Sequence, residues 1–153
     1  MLTIDILQAV KSYTQAMQNK VTFVLQTGDH SKRPELVNFL LGIAEVSDHI
    51  QFEERDMAGS LRSPLSFLIE ADAVDTGIHF SGIPSGHEFN SLILAVLQAS
   101  GTALKLDDSV KSIIARVNET LKFEVFISLS CHNCPDVVQA LNQFSLLNPN
   151  ISA

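Results

Sequence analysis

Apolar residues recur along the chain at spacings that alternate between those of helices and those of strands. From Ile4 to Met17 they follow the helical repeat, and a β-rich run extends from Val21 to Gln26. Pro34 suits the first turn of a second helix, whose apolar stripe reaches Ala44. The pattern therefore predicts a helix, a strand and a second helix in succession.

Three shorter runs and a third helix follow. Residues 49–53, 65–69 and 77–81 have the composition of strands, and the last two form a hairpin pattern. Ser85 precedes the next apolar helical stripe, and Glu88 follows three residues later, as in a capping box. We therefore expect a helix that starts near Ser85.

The order of elements then begins again. The segment from Gln98 to Asp107 ends the third helix and is the best domain boundary in the chain. Beyond it, the apolar positions predict a helix, a strand from Phe123 to Ser128 and another helix after Pro135. We expect two domains, residues 1–101 and residues 102–153, which we call the first and second units.

From the first strand onward the two units align at a shift of 101 residues, and Val10-Lys11-Ser12 matches Val110-Lys111-Ser112 at a shift of 100, which implies a single-residue indel; we interpret the pattern as an internal duplication. The shift of 101 superimposes Val24 on Val125, Pro34 on Pro135, Val37 on Val138, Leu40 on Leu141 and Ile50 on Ile151. Cys131 falls on His30, and Cys134 falls on Arg33, so thiol chemistry belongs to the second unit alone. We interpret His30 and Arg33 as solvated loop residues. The second unit stops where its second strand would begin, and we expect it to be incomplete.

Charge and hydropathy exclude several classes of partner. The net charge is −7, which disfavours binding to phosphate backbones and to anionic lipid. The apolar runs are far shorter than the roughly 20 residues needed to cross a bilayer. Asp5 interrupts the amino-terminal apolar stretch, and no basic segment precedes it, which argues against a secretory signal. We expect a cytoplasmic protein that binds neither nucleic acid nor membrane.

Cys131 and Cys134 are the chain's two cysteines and form the sequence Cys-His-Asn-Cys. A bridge between them closes so short a loop that it would stabilise the fold little. The predicted strand-to-helix junction places Cys131 at the amino end of a helix, which favours a thiolate, and protonated His132 would add positive charge. We predict that Cys131 is the attacking cysteine and that Cys134 resolves the mixed disulfide.

Two other interpretations of the cysteines remain open. Cys-x-x-Cys is also half of a zinc site, and His132 is a possible third ligand. A second pair of ligands is lacking, because the other histidines show no ligand spacing. Redox chemistry is favoured over a zinc-binding domain and over inert cysteines.

The segment Ser128–Asn142, Ser-Leu-Ser-Cys-His-Asn-Cys-Pro-Asp-Val-Val-Gln-Ala-Leu-Asn, resembles the amino-terminal domain of the alkyl hydroperoxide reductase flavoproteins, the peroxiredoxin reductases of that system. The segment Gly82–Phe89 resembles the first repeat of the same domain. The resemblance implies an α/β fold of tandem thioredoxin-like units, the second incomplete in this chain. It also implies that Cys131 and Cys134 form the redox-active disulfide.

The same resemblance implies an electron path. In the family, electrons pass from NADH through FAD and a dithiol of a carboxy-terminal flavoprotein module to the amino-terminal dithiol. They then reach a peroxiredoxin, the peroxidase component of alkyl hydroperoxide reductase, which reduces peroxides. The complete protein is accordingly expected to be a homodimer active in peroxide defence.

This chain has no Gly-x-Gly-x-x-Gly motif and no second Cys-x-x-Cys, so we expect it to hold no cofactor besides the disulfide and to be inactive alone. The alternative is a partner-docking module without catalysis.

Two further residues have alternative interpretations. Thioredoxin-like folds usually place a cis-proline against the dithiol, and the resemblance favours a cis bond at Ser63–Pro64. Glu88 would accept a proton from a nearby cysteine if the two units pack face to face. The competing interpretation of Glu88 is helix capping.

Overall fold

The computed structural model describes residues 2–153. The elements, in chain order, are α1 Ile4–Thr14, β1 Val21–Gln26, α2 Arg33–Ala44, β2 Ile50–Arg55, β3 Ser66–Ala71, β4 Val74–Ser81, α3 Phe89–Ala99, α4 Asp108–Ala115, β5 Leu121–Lys122, α5 Cys134–Leu147 and β6 Ile151–Ser152. A 3₁₀ turn, Gly86–Glu88, precedes α3.

The first unit is built around a four-stranded sheet of order β2-β1-β3-β4. The central strand β1 pairs in parallel with β2 and antiparallel with β3. Four of its six residues are apolar and buried, because strands lie on both edges, helices cover one face and the segment around Leu61 covers the other. The ring of Phe23 in β1 packs edge-on against Phe67 of β3 within the core, with ring centroids 5.8 Å apart.

The second unit repeats this arrangement in part. Its strands β5 and β6 are parallel and start with Leu121 opposite Ile151, just as the β1–β2 pair starts with Val21 opposite Ile50. Helices α2 and α5 begin at positions 101 residues apart.

The two units share backbone and helix contacts. The N–H of Ala153 donates to the carbonyl oxygen of Gly77 at 2.9 Å, and the N–H of His79 donates to that of Ala153 at 2.8 Å. Helix α5 also packs on α3, where Gln139 Nε2 donates to Ser91 Oγ at 3.2 Å. The first unit therefore supports the second at both the sheet edge and the helical layer.

The predicted strand from Phe123 to Ser128 is wrong. Only Leu121 and Lys122 form a strand, and the one ladder-type bond that follows them among residues 2–153 runs from the Phe123 N–H to Ser152 O at 2.8 Å. A strand requires a neighbour for its backbone groups, and the partner strand β6 has two residues. Phe126 is consequently 80% exposed.

Two local predictions near the turns are also wrong. The turn Gly86–Glu88 separates Ser85 from α3, so Ser85 does not cap that helix, and neither Ser85 nor Glu88 makes a side-chain capping bond. No peptide bond among residues 2–153 is cis, so the Ser63–Pro64 bond is trans. In this unit a guanidinium, rather than a disulfide, faces the Pro64 carbonyl.

Among residues 2–153, no helix combines the length and the apolar character that a membrane crossing requires.

Candidate active site: the dithiol at the start of α5

The disulfide lies at the amino end of α5. Cys131 and Cys134 are bonded, with their Cα atoms 5.5 Å apart, and Cys134 is the first residue of the helix. The backbone N–H of Cys134 donates to Cys131 Sγ at 3.2 Å. Asn133 precedes the helix but makes no side-chain capping bond, so the Cys131 sulfur takes the position of a helix cap.

This geometry favours a thiolate at Cys131 once the disulfide is reduced. The unpaired N–H groups at a helix start carry partial positive charge, and a thiolate accepts a hydrogen bond from them more strongly than a thiol does. Pro135 occupies the first turn, where its missing N–H removes no helical bond. Both cysteines are half-buried, whereas His132 and Asn133 between them are exposed, so an incoming disulfide can reach the pair.

The first unit contacts this loop through a histidine that sequence reasoning missed. The rings of His87 and His132 lie 4.6 Å apart between centroids, and the backbone N–H of His87 donates to the carbonyl oxygen of Leu129 at 3.3 Å. The spacing of the histidines gave no signal of this contact, because it joins residues of different units. The candidate site is thus formed by both units.

Glu88 is buried at the interface between the units. It is 1% exposed, and neither of its carboxylate oxygens has a hydrogen-bond partner among residues 2–153. Asn142 of α5 is 4% exposed, and its Nδ2 also lacks a partner there. Both side chains line one cavity of about 330 Å³, together with Leu129 and Val138 on either side of the dithiol in sequence. The sequence pattern points to Glu88 but carries no signal for Asn142, whose burial depends on packing between the units.

At the position equivalent to Cys134, the first unit has Arg33, whose guanidinium is fixed by several hydrogen bonds. Arg33 Nη1 donates to the carbonyl oxygens of Gln26 and, at 2.6 Å, of Pro64, and its Nη2 contacts Glu54 at 2.9 Å. Its side chain is 13% exposed, so the interpretation of Arg33 as a solvated loop residue is wrong. The guanidinium donates to the carbonyl of the last residue of β1 and to that of Pro64 in the loop before β3, and these bonds hold it in place. His30 is exposed, as predicted.

Residues 2–153 offer no set of ligands for the alternative of a zinc site. Among residues 2–153, no three His, Cys, Asp or Glu side chains form a group that could hold a metal ion, and both cysteines are in the disulfide.

Comparison with known proteins identifies the family. The crystal structure of the NTD_N/C domain of alkyl hydroperoxide reductase AhpF from Enterococcus faecalis matches this chain with a TM-score of 0.89 and 31% identity, over 100% of this chain and 78% of that one. This chain belongs to the AhpF family, the flavoproteins of alkyl hydroperoxide reductase. The resemblance found in the sequence and the thioredoxin-like α/β fold it implied are therefore confirmed. No family model matches the chain.

Comparison with longer curated proteins gives the same family. The chain is 43% identical over 152 residues to the AhpF protein of Staphylococcus aureus strain NCTC 8325, and 45% identical to that of Staphylococcus epidermidis. These matches cover 99% of the chain, which spans 29% of the length of those relatives. A protein disulfide oxidoreductase from Aeropyrum pernix shares the fold, with a TM-score of 0.83 at 17% identity.

Proposed function

We propose that the chain is a thiol–disulfide electron relay in which Cys131 and Cys134 alternate between dithiol and disulfide. The observation that carries this proposal is the bond from the Cys134 N–H to Cys131 Sγ at the start of α5. That bond places a stabilising donor on the sulfur that would be the nucleophile, and it leaves the second sulfur within bonding reach.

The exchange proceeds in two balanced steps. The Cys131 thiolate attacks one sulfur of an acceptor disulfide, forms a mixed disulfide and releases the other acceptor sulfur as a thiolate, which takes up a proton. Cys134 then loses its proton and attacks Cys131 Sγ, which releases the second acceptor sulfur. Two electrons have moved to the acceptor, and the Cys131–Cys134 disulfide remains to be reduced by a donor dithiol.

We assign supporting roles to two more residues. Glu88 accepts the proton that Cys134 loses, because its carboxylate is buried and unpartnered in the cavity that also contacts Leu129 and Val138. His132 lies between the two cysteines, where positive charge on its ring, when present, favours the thiolate state of Cys131.

The acceptor in this proposal is a peroxiredoxin, the peroxidase component of alkyl hydroperoxide reductase, as the name of the relatives suggests. The donor is a flavoprotein module that uses NADH and FAD. Residues 2–153 offer no dinucleotide site, because the chain has no Gly-x-Gly-x-x-Gly sequence, so we assign both cofactors to the remaining length of the family's proteins. We further propose that the complete protein is a homodimer located in the cytoplasm.

We also propose that residues 1–101 are one thioredoxin-like unit and that residues 102–153 begin a second. The matching starts of the β1–β2 and β5–β6 pairs support this division. The unpaired segment after β5 corresponds to the part of β1 that pairs with β3. A strand equivalent to β3 would fit along it.

Trapping the mixed disulfide tests the relay. The reduced chain is treated with 5,5′-dithiobis(2-nitrobenzoic acid), and release of thionitrobenzoate is followed by absorbance and mass spectrometry. The wild type should release two equivalents and end as the disulfide, whereas Cys134→Ser should release one and keep the adduct on Cys131. Cys131→Ser should react much more slowly. Equal reactivity of the two single variants would contradict the assignment of Cys131 as the attacking residue.

Coupling to a peroxiredoxin separates the relay from a docking module. With the complete protein, replacement of both cysteines by serine should abolish peroxide-dependent NADH oxidation. Intact coupling in that double variant would instead support docking without electron transfer.

A further inference from the structure

One turn of the first unit contacts the loop that carries Cys131. We call residues Ser128–Asn133 the dithiol loop. The backbone N–H of His87 donates to the carbonyl oxygen of Leu129 at 3.3 Å, and the His87 ring lies 4.6 Å from that of His132 at an interplanar angle of 59°. Tilted ring pairs at this separation attract one another. The two contacts meet the dithiol loop on either side of Cys131.

The close approach of this turn depends on glycine at position 86. Gly86 has a left-handed backbone with φ of +58°, and a β carbon placed there would lie 3.0 Å from the carbonyl oxygen of Leu129. Other residues avoid this backbone region, and a side chain would push against the dithiol loop. Gly86 therefore allows His87 to reach the loop.

The dithiol loop has weak restraints of its own. The Cys131 N–H donates to the carbonyl oxygen of Ser128 at 2.9 Å, and the hydroxyls of Ser128 and Ser130 lie 3.0 Å apart. Reduction removes the covalent bond from Cys131 to α5. After that step, the contacts with His87 continue to hold the loop against the first unit.

We propose that His87 is a positioning residue of the relay, through which the cysteine-free first unit holds the dithiol loop over the start of α5. The inference rests on the proposed relay function. The His87 side chain acts through the ring of His132, while the backbone bond to the Leu129 carbonyl, which His87→Ala retains, fixes the turn beside the loop. A loop held in this way keeps the two reduced sulfurs close together, which raises the effective concentration of each thiol toward the other. Loosening the loop should favour the dithiol over the disulfide.

Equilibration with glutathione tests this role. The full chain is incubated in glutathione buffers of graded ratio, and the disulfide fraction is read by alkylation and mass spectrometry. We expect His87→Ala to shift the equilibrium toward the dithiol by about three- to tenfold, where tenfold corresponds to about 30 mV for a two-electron couple. His87→Phe keeps a ring against His132 and should stay within about twofold of the wild type. Gly86→Ala should shift the equilibrium in the same direction as His87→Ala.

His30→Ala is the matched control, because His30 is an exposed histidine at the equivalent place in the first unit. It should leave the equilibrium unchanged. A wild type without any two-electron transition would overturn the relay itself. A normal transition that His87→Ala leaves unmoved would overturn only the positioning role, as would a His87→Phe variant shifted as far as His87→Ala.

Discussion

The turn between β3 and β4 shows strain at a single residue. Asp72 and Ala73 both have left-handed backbones, with φ of +47° and +66°, as in a type I′ hairpin turn. At Asp72 two hydrogen bonds offset the strain. Its backbone N–H donates to the Lys20 carbonyl oxygen at 2.9 Å, and its carboxylate accepts from the Lys20 backbone N–H at 3.1 Å. Ala73 has a β carbon in a backbone region that L-residues avoid.

We therefore expect Ala73→Gly to raise the free energy of unfolding by about 0.5–1 kcal/mol, the strain relieved less the extra chain entropy of glycine. Urea denaturation measures this change in the free energy of unfolding. Asp72→Gly is the control and should destabilise the chain, because it removes the carboxylate bond to Lys20. A loss of stability in Ala73→Gly would show that the turn stores no strain at that position.

A second residue-scale prediction concerns pH. Burial raises the pKa of Asp75, but hydrogen bonds from His79 and from the Gly77 N–H, with the charge of His79, outweigh it, so the pKa of Asp75 lies below its usual range. A carboxylate of this kind stabilises the fold above its unfolded-state pKa of about 3.9, and the contribution disappears as the pH falls through the lower folded-state pKa. Asp75→Asn should therefore lower the thermal midpoint at pH 6 and have little effect near pH 2. An equal loss at both pH values would point to packing instead of charge.

At the scale of elements, Arg33 joins α2 to the ends of two strands. Its removal would leave the carbonyl oxygens of Gln26 and Pro64 without that donor. Because unpaired, partly buried carbonyls are costly, we expect Arg33→Ala to lower the free energy of unfolding by about 1–3 kcal/mol. Lys32→Ala is the control: Lys32 pairs with Glu35 at 3.2 Å on the surface, a pair worth less than about 1 kcal/mol. Equal effects of the two variants in urea denaturation would mean that Arg33 acts only as a surface charge.

Elements set by local sequence could be predicted, and those that depend on distant partners could not. Strand β1 and helix α2 were found close to their observed bounds, because apolar periodicity and Pro34 act within a few residues. The segment 123–128 has equal strand character, yet it lacks a neighbouring strand in the described chain. The dithiol was predicted from its own four residues.

The contacts around the dithiol were harder to predict for the same reason. His87 meets His132 only because the two units pack together, and no spacing within either unit encodes that contact. The capping pattern at Ser85 and Glu88 was misleading, since the 3₁₀ turn between Ser85 and α3 directs the Glu88 carboxylate inward.

At the scale of the whole molecule, the two units have different roles. The first unit holds the large apolar core, its sheet has four strands, and Arg33 fills the place of a dithiol. The second unit carries the cysteines at the start of α5, a helix that rests against α3 of the first. The apolar core therefore lies mainly in one unit and the proposed relay chemistry in the other, and Glu88 and His87 belong to the first unit but face the second.

Glu88 should then reveal a conflict between stability and activity. Its carboxylate is 1% exposed without a partner in the described chain, and burial of an unpaired charge disfavours folding. We expect Glu88→Met, which keeps the length of the side chain, to raise the free energy of unfolding by about 1–3 kcal/mol at pH 7. The same variant should slow the second step of the exchange, because Cys134 loses its proton acceptor. Glu119→Met, at an exposed position, should change neither quantity. Urea denaturation and the release of the second thionitrobenzoate measure the two effects, and a Glu88→Met chain that is both less stable and equally fast would show that the carboxylate serves the fold rather than the relay.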